Sequence, residues 1–452
     1  MNRTAIRVGA GVCASLSAAF VVAAFVSTSA LAATYTVTTA ADSGPGSLRA
    51  AIASADLAGG SNTIAFASSA NGTIILTTGE LEVTGSPAQT LTITGNGASN
   101  TLIDGDALSR VFAVDVGATL DLSGVTVENG TVNSVDGAGI LVDGDLALSD
   151  SVITGNTQDS SLGGGVSNDG GGTVTVSQTT FSNNVANGAS GAGMANNGDG
   201  TLNVLDSTFE GNSTDDYGGA ILTQGGTVNI TDSTFNNNAS VLGAIAAYDD
   251  AGSITIVDST LASNPSVDRG DDIYIAGGDP TITVTGSILT DHGAGQSCSA
   301  AVTDGGFNID NGTSCGFMLA SDHTSTNPDL GALASNGGPT QTMALDTGSP
   351  AIEAGQSETA CTSVNDGEDQ RGYDRPGVPG TACSIGAYEY GAAPGATPTP
   401  TPTATPIGVP VPTTGAMTGS TAVLPSGILG ILGIAAFLLI MGGLRARNRR
   451  PN

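Results

Sequence analysis

Seven twelve-residue segments align without a gap: TLDLSGVTVENG from Thr119, DLALSDSVITGN from Asp145, TVTVSQTTFSNN from Thr173, TLNVLDSTFEGN from Thr201, TVNITDSTFNNN from Thr227, SITIVDSTLASN from Ser253 and TITVTGSILTDH from Thr281. Their starts lie 26, 28, 28, 26, 26 and 28 residues apart. So regular a period marks a solenoid, in which each unit buries its apolar side only against its neighbours. Inside each unit apolar and polar residues alternate, which is the period of a strand. A helical solenoid would need apolar residues three and four apart in long Gly-free runs, and the segments have neither.

Three columns stay apolar through all seven units. They begin at Leu120, Leu122 and Val127 and end at Ile282, Val284 and Leu289, with Phe181, Phe209 and Phe235 in the third. A fourth column, Ile140, Val166, Met194, Ile221, Ile245 and Ile273, follows the Gly-rich stretches. Each coil should therefore hold at least three short strands, stacked on the next coil at ~4.8 Å, so that like residues form internal ladders. Asn156, Asn184, Asn212, Asn238 and Asn264 recur three residues after the third column. Asn tolerates left-handed turns and bonds along a stack, so these read as a structural ladder; a ligand-binding row of amides is the other reading. The expected fold is an all-β parallel β-helix.

Composition agrees. Gly reaches 67 residues, aromatics are 4% and Trp is absent, which suits thin layers better than an ordinary globular core. Lys is also absent. Arg3 and Arg7 open the chain, Arg445, Arg447, Arg449 and Arg450 close it, and the body keeps only Arg49, Arg110, Arg269, Arg371 and Arg375. Those five face all 41 acidic residues, a net charge of −36 for residues 33–390. Such a surface repels phosphate backbones and excludes nucleic acid as a partner. It also favours solubility, and salt adaptation or cation binding would give the same bias.

Both ends carry addresses. Arg3, Arg7, the apolar run Val8–Val26 and Ala30-Leu31-Ala32 form a secretory signal over residues 1–32. Residues 422–444 have no charge and are long enough to cross a ~30 Å bilayer core as one C-terminal transmembrane helix. The basic tail, 445–452, then stays in the cytoplasm and the body faces outward. Residues 391–421 are rich in Thr-Pro and should form an extended stalk. The expected location is the cell envelope, at the outer face of the cytoplasmic membrane or in the cell wall. Cys13 leaves with the signal. Cys298, Cys315, Cys361 and Cys383 remain for an oxidising compartment. Three pairings can be drawn, and the local ones, Cys298–Cys315 and Cys361–Cys383, are favoured.

Several motifs carry resemblances. Gly218-Gly219-Ala220-Ile221 followed by Phe235-Asn236-Asn237-Asn238, with Phe181…Asn184 and Phe209…Asn212, is similar to the GGAI and F-x-x-N repeats of polymorphic outer-membrane proteins. That likeness implies a right-handed β-helix at a bacterial surface, several of the family being adhesins; here a single helix stands in place of their C-terminal barrel. Gly46-Ser47-Leu48-Arg49-Ala50 resembles in part the CSLREA segment that opens many envelope β-helices. Ser335–Thr342, Gly348–Ile352, Asp369–Gly372 and Ile385–Glu389 resemble in set and order the choice-of-anchor Q domain, which implies an attachment context. Val411-Pro412-Thr413-Thr414-Gly415 resembles a sortase sorting signal, with Val411 where that family has Leu, and implies sortase as a partner. The organisation expected is a signal (1–32), a cap with early coils (33–118), regular coils (119–294), a small disulfide-containing domain (295–390), the stalk, the span and the tail.

Candidates for chemistry are few. A pectate-lyase-like site needs Ca²⁺-binding carboxylates and a basic residue that abstracts a proton. Arg269 is the one cation within the regular coils; with Asp268, Asp271 and Asp272 it is the best catalytic cluster, against a solvated, self-neutralising turn. No cofactor is expected: the acidic pairs Asp215-Asp216 and Asp249-Asp250 could bind Ca²⁺ weakly, but solvated turns are the favoured reading of both. His292 and His323 fit neither a zinc pattern nor a polygalacturonase motif. The leading expectation is a non-catalytic, cell-surface protein on a stalk, in adhesion or envelope and matrix contact with a glycan or protein ligand. The rivals are an extracellular carbohydrate-active lyase or hydrolase and a passive surface-layer component.

Overall fold

The computed structural model describes residues 32–394 except 86–87, 249–251, 279 and 293–295. The secretory signal, with Cys13, lies outside the described residues up to position 31. So do the stalk beyond 394, the apolar span, the basic tail, the pentad Val411–Gly415 and the pair Asp249-Asp250. Among the described residues no helix is long and apolar enough to cross a membrane.

One coil shows how the rest are built. The strand Thr173–Ser177 presents Val174 and Val176 inward. A corner follows, then strand Thr180–Ser182 with Phe181 inward, a second corner at Asn183-Asn184, and strand Val185–Asn187. A Gly-rich loop leads to Met194–Asn196, and the chain turns into Thr201–Leu205 of the next coil. Repetition yields two parallel sheets of eleven strands and one of eight, here called the first, second and third sheets. The first runs from Ala33–Val37 to Thr303–Asp304, the second from Gly72–Ile75 to His323–Thr324, and the third from Leu81–Val83 to Ile273–Ile275. A fourth face carries four short strands, from Thr131–Asn133 to Ser213–Thr214.

Register puts like on like. Val174 pairs with Leu202 and Val176 with Val204; Phe181 pairs with Phe209, and Phe209 with Phe235. The three Phe rings stack with centroids 4.6 and 4.8 Å apart and planes within 3° and 8°. The apolar columns read from the sequence are buried throughout. Each such side chain contributes roughly 1.5–3 kcal/mol before chain entropy is subtracted.

Two polar columns hold the corners. At the first, the residue at Asp150, Gln178, Asp206, Asp232 and Asp258 takes a left-handed conformation, and Gly124 and Gly286 fill the same place. The next residue stacks by its hydroxyl: the N–H of Thr179 donates to Ser207 Oγ, Ser207 to Ser233, Ser233 to Ser259 and Ser259 to Ser287, at 3.1–3.2 Å. The second corner is the Asn column. Asn156, Asn184, Asn212 and Asn238 each donate from Nδ2 to Oδ1 of the next Asn at 2.9–3.1 Å. Each also donates to a carbonyl of the preceding coil. All five Asn are fully buried, so a row of amides offered to a ligand is not what the fold makes of them. Asn264 closes the column by donating to Asp272 Oδ1 at 2.9 Å. Close approach explains the glycines before the third sheet: a Cβ on Gly193 would lie 2.5 Å from the Ala220 carbonyl.

The helix Leu48–Ala58 covers the first coil. Ser47 caps it by accepting from the Ala50 N–H, and Leu48, Ala51, Ile52 and Ala55 face the core. The expected boundary at 294/295 does not coincide with the end of the sheets. Thr303–Asp304 extends the first sheet and Ile309–Asp310 the second, and Cys298 and Cys315, joined to each other, belong to the solenoid core. Residues 325–390 form no layer of their own beyond the short antiparallel pair Leu330–Ala334 and Thr342–Leu345. They run back as a strap over the second sheet, with the Cys361–Cys383 disulfide inside them. The expected separate domain is thus two last coils and a strap. The missed coils are short: Thr283 pairs with Thr303, and Asp291 meets Asn311 only 20 residues on.

Candidate functional site

The strap and the second sheet share a buried polar seam. Thr340 Oγ1 donates to the Asp206 carbonyl at 2.8 Å, and Asn365 donates to the Asp206 carboxylate at 2.8 Å. Gln370 Nε2 reaches Thr208, Thr340 and the Ser207 and Gln341 carbonyls, while its Oε1 accepts from Thr234. Arg375 lies 2.7 Å from Asp232 and 3.4 Å from Glu389, all three side chains at most 1% exposed. Arg371 pairs with Asp369 at 2.6 Å and lies over the rings of Tyr373 and Tyr388. Gly386 must be glycine: its φ is +96° and an added Cβ would meet Ile288 at 2.8 Å. Burial pushes the Asp206 carboxyl up to about 7 and Asp258 up to about 6, with the Arg375 charge opposing both. One oxygen each of Asp232 and Asp258, and Nε of Arg375, have no partner in the seam. This is a clamp, and its chemistry is spent on holding the strap.

Two further cations, Arg49 and Arg110, are also engaged. Arg49 donates to Asp42 and to the Gly79 and Glu80 carbonyls. Arg110 donates to Glu80 and to the Asp136 and Gly137 carbonyls, beside an open 670 Å³ hollow that includes Leu108, Thr131 and Val135.

The structure does not assemble the acidic cluster read around Arg269. Asp268 and Arg269 stand 4.0 Å apart with side chains 62% and 59% exposed. Asp271 and Asp272 point inward, 2% and 0% exposed. Asp271 accepts from Ser266 and from the His292 N–H, and Asp272 ends the Asn column, its carboxyl pushed well up by burial. Asp215 accepts from the Gly188 N–H and Asp216 from Ser190 Oγ. Among the described residues, no three His, Cys, Asp or Glu side chains come together as a metal would require.

One surface was not legible. Outside the third sheet, a hollow of 270 Å³ is lined by Ser160, Ser190, Asp216, Tyr217, Gln224 and Tyr248, with small residues between them. Tyr217 lies against Tyr248 at 4.9 Å and against Tyr274 at 5.7 Å. The three come from different places in the repeat: before a Gly-Gly pair, after a strand and within a strand. Column reading therefore passes over them. Their signal is scarcity, since the chain has seven Tyr and no Trp. Nearby, Asp169 accepts from Ser167, and burial with the neighbouring Asp136 carboxyl pushes it up to about 7.

Residues 138–317 match the family model described as "Right handed beta helix region". With the parallel ladders above, the protein is a right-handed parallel β-helix. No curated protein and no solved structure matches the chain.

Proposed function

We propose that this chain is an exported, non-catalytic surface protein, a β-helix held away from the membrane to contact a glycan or protein ligand in adhesion or in the envelope and matrix. The observation that carries the reading is the disposal of its cations. A β-helix lyase needs a basic group beside its substrate, and four of the five body arginines are bound to carboxylates and carbonyls, three of them buried or nearly so. The fifth, Arg269, stands on open surface next to Asp268 alone. The likenesses to polymorphic outer-membrane repeats, to the CSLREA segment and to the choice-of-anchor Q set support a surface setting. The last set also gains a physical role: Thr340, Gln370, Arg371 and Gly386 belong to the clamp that holds the strap on the second sheet. The apolar span is proposed as the anchor; the alternative is transfer of the body to the wall by a sortase acting at Val411–Gly415, which would leave the span behind.

The enzymatic reading has one feature in its favour: burial, with the neighbouring Asp136 carboxyl, pushes Asp169 up to about 7, the direction a general acid requires. One experiment separates the two. The full chain is screened on whole cells and on a glycan panel, with reducing-end and unsaturated-product assays run with and without Ca²⁺. Binding without product is the expected result. Product formation that Asp169→Asn abolishes would replace it with the enzyme, and neither binding nor product would leave a passive surface-layer component.

A further inference from the structure

The rod has a notch on one flank, and the residue count of the loops explains it. The interval from the buried Asn to the first residue of the third sheet is ten positions from Asn156 to Val166 and ten from Asn184 to Met194. The interval falls to nine from Asn212 to Ile221 and to seven from Asn238 to Ile245, then returns to nine from Asn264 to Ile273. The longer loops, at Ser160–Leu162 and Gly188–Ser190, line one hollow together with Asp216, Tyr217 and Tyr248 of the shorter coils that follow. Ala186, Ala189 and Ala192, in the second of these loops and the strand before it, form a small buried cluster. The short loop has Gly243 at φ +69°, where a Cβ would meet Tyr274 Cβ at 2.7 Å, so Tyr274 packs down into the step. Tyr217 and Tyr248 line the hollow above it.

From this geometry we infer that the notch is a binding site for a neutral sugar ring of an extracellular glycan, stacked on Tyr217 and Tyr248. An aromatic face takes the C–H face of a pyranose, while an amphipathic ring also tolerates water at its rim. The surrounding groups suit hydroxyls: Ser160 and Gln224 can donate or accept, and Asp216 accepts, its carboxylate held in place by the buried Ser190 hydroxyl. The two rings touch each other at 4.9 Å, so they form a ridge and leave no gap in which a quaternary ammonium could sit between faces. The strongly negative body disfavours a polyanionic chain. The hollow, 270 Å³, has room for about one ring, which fits a local contact repeated along a polymer.

The inference rests on the surface-contact reading above, and the test separates their failures. The full chain is titrated with neutral oligosaccharides, an acidic uronate oligomer and an amino-sugar oligomer, followed by calorimetry. Wild type, Tyr248→Phe, Tyr248→Ala and Tyr217→Ala are compared after their melting temperatures are matched. The expected result is binding of a neutral oligomer, a loss of at least about tenfold with either Ala variant, and a change under about threefold with Tyr248→Phe, since stacking survives loss of the hydroxyl. Undiminished neutral-glycan binding in both Ala variants would overturn the notch while leaving surface contact standing. Preference for the uronate or the amino sugar, or no binding to any oligomer, would overturn the neutral-sugar assignment. Whole-cell binding in the same preparation shows whether the wider reading survives.

Discussion

The coils from Thr119 to Leu289 and the strap from Ser325 to Tyr390 satisfy their buried polar groups by opposite means. The coils repeat one neutral solution: an Asn amide, a Ser or Thr hydroxyl and a ladder of backbone bonds, copied at each turn. Each rung from Asn156 to Asn238 is satisfied by the next, and only the terminal Asn264 turns to a carboxyl, that of Asp272. The strap uses a single, unrepeated knot of ions, with Arg375 and Arg371 set among Asp232, Asp258, Asp369 and Glu389. Burying such groups costs several kcal/mol per ion before pairing returns it. Ladders make length, and ionic knots fix one place along it.

The largest effects should fall on the two sides differently. Phe209→Ala opens a cavity in the stacked column and is expected to cost about 3–5 kcal/mol, lowering the unfolding midpoint of the whole rod. Arg375→Ala leaves Asp232 and Glu389 buried without their cation and should cost a similar 3–5 kcal/mol, but of the strap's attachment. Limited proteolysis should then cut within 325–390 while the sheets stay protected in hydrogen exchange. Equal protection losses in both variants would erase the distinction. Next in size, Asn212→Ala strips partners from Asn184 and the Phe181 carbonyl and should cost about 1–3 kcal/mol.

Acidity sharpens the contrast further. Asp206 and Asp258 are raised to about 7 and about 6, above the unfolded carboxyl value of about 3.9. The folded seam therefore holds more protons than the unfolded chain across that window. Their contribution is complete below about pH 4 and is lost as pH rises through 6 and 7, by at most roughly 1.4 kcal/mol per pH unit for each group. Strap protection should be greater at pH 5 than at pH 8, and Asp206→Asn should flatten the difference. The smallest effect belongs to Arg269→Ala, expected within about 0.5 kcal/mol of wild type by chemical denaturation, because its partner is distant and exposed.

What the sequence disclosed follows the same division. The apolar columns and the Asn row recur at one spacing, so Phe181, Phe209 and Phe235, or Asn184, Asn212 and Asn238, announce each other. The Ser corner recurs too, but Ser and Thr are so common on the outside of strands that Ser207 and Ser233 do not stand out. The last coils escaped because their period shortens. The strap's contacts join residues far apart in the chain, Ala387 to Thr260 across 127 positions and Thr340 to Asp206 across 134, and no local pattern encodes them. Asp232 looks like any turn aspartate until Arg375 is laid over it. The Tyr notch arises from differences between coils, which a search for sameness discards.

Register tests the whole account most directly. Thr175 and Asn203 pair across adjacent strands of the first sheet and point away from the core. The double variant Thr175→Cys, Asn203→Cys should oxidise readily to a third intrachain disulfide, seen by mass spectrometry, without loss of the melting temperature. Cross-linking of position 175 to a cysteine placed at 202 or 204, with none to 203, would mean that the coils do not stack like on like and would contradict the fold from which everything else is argued.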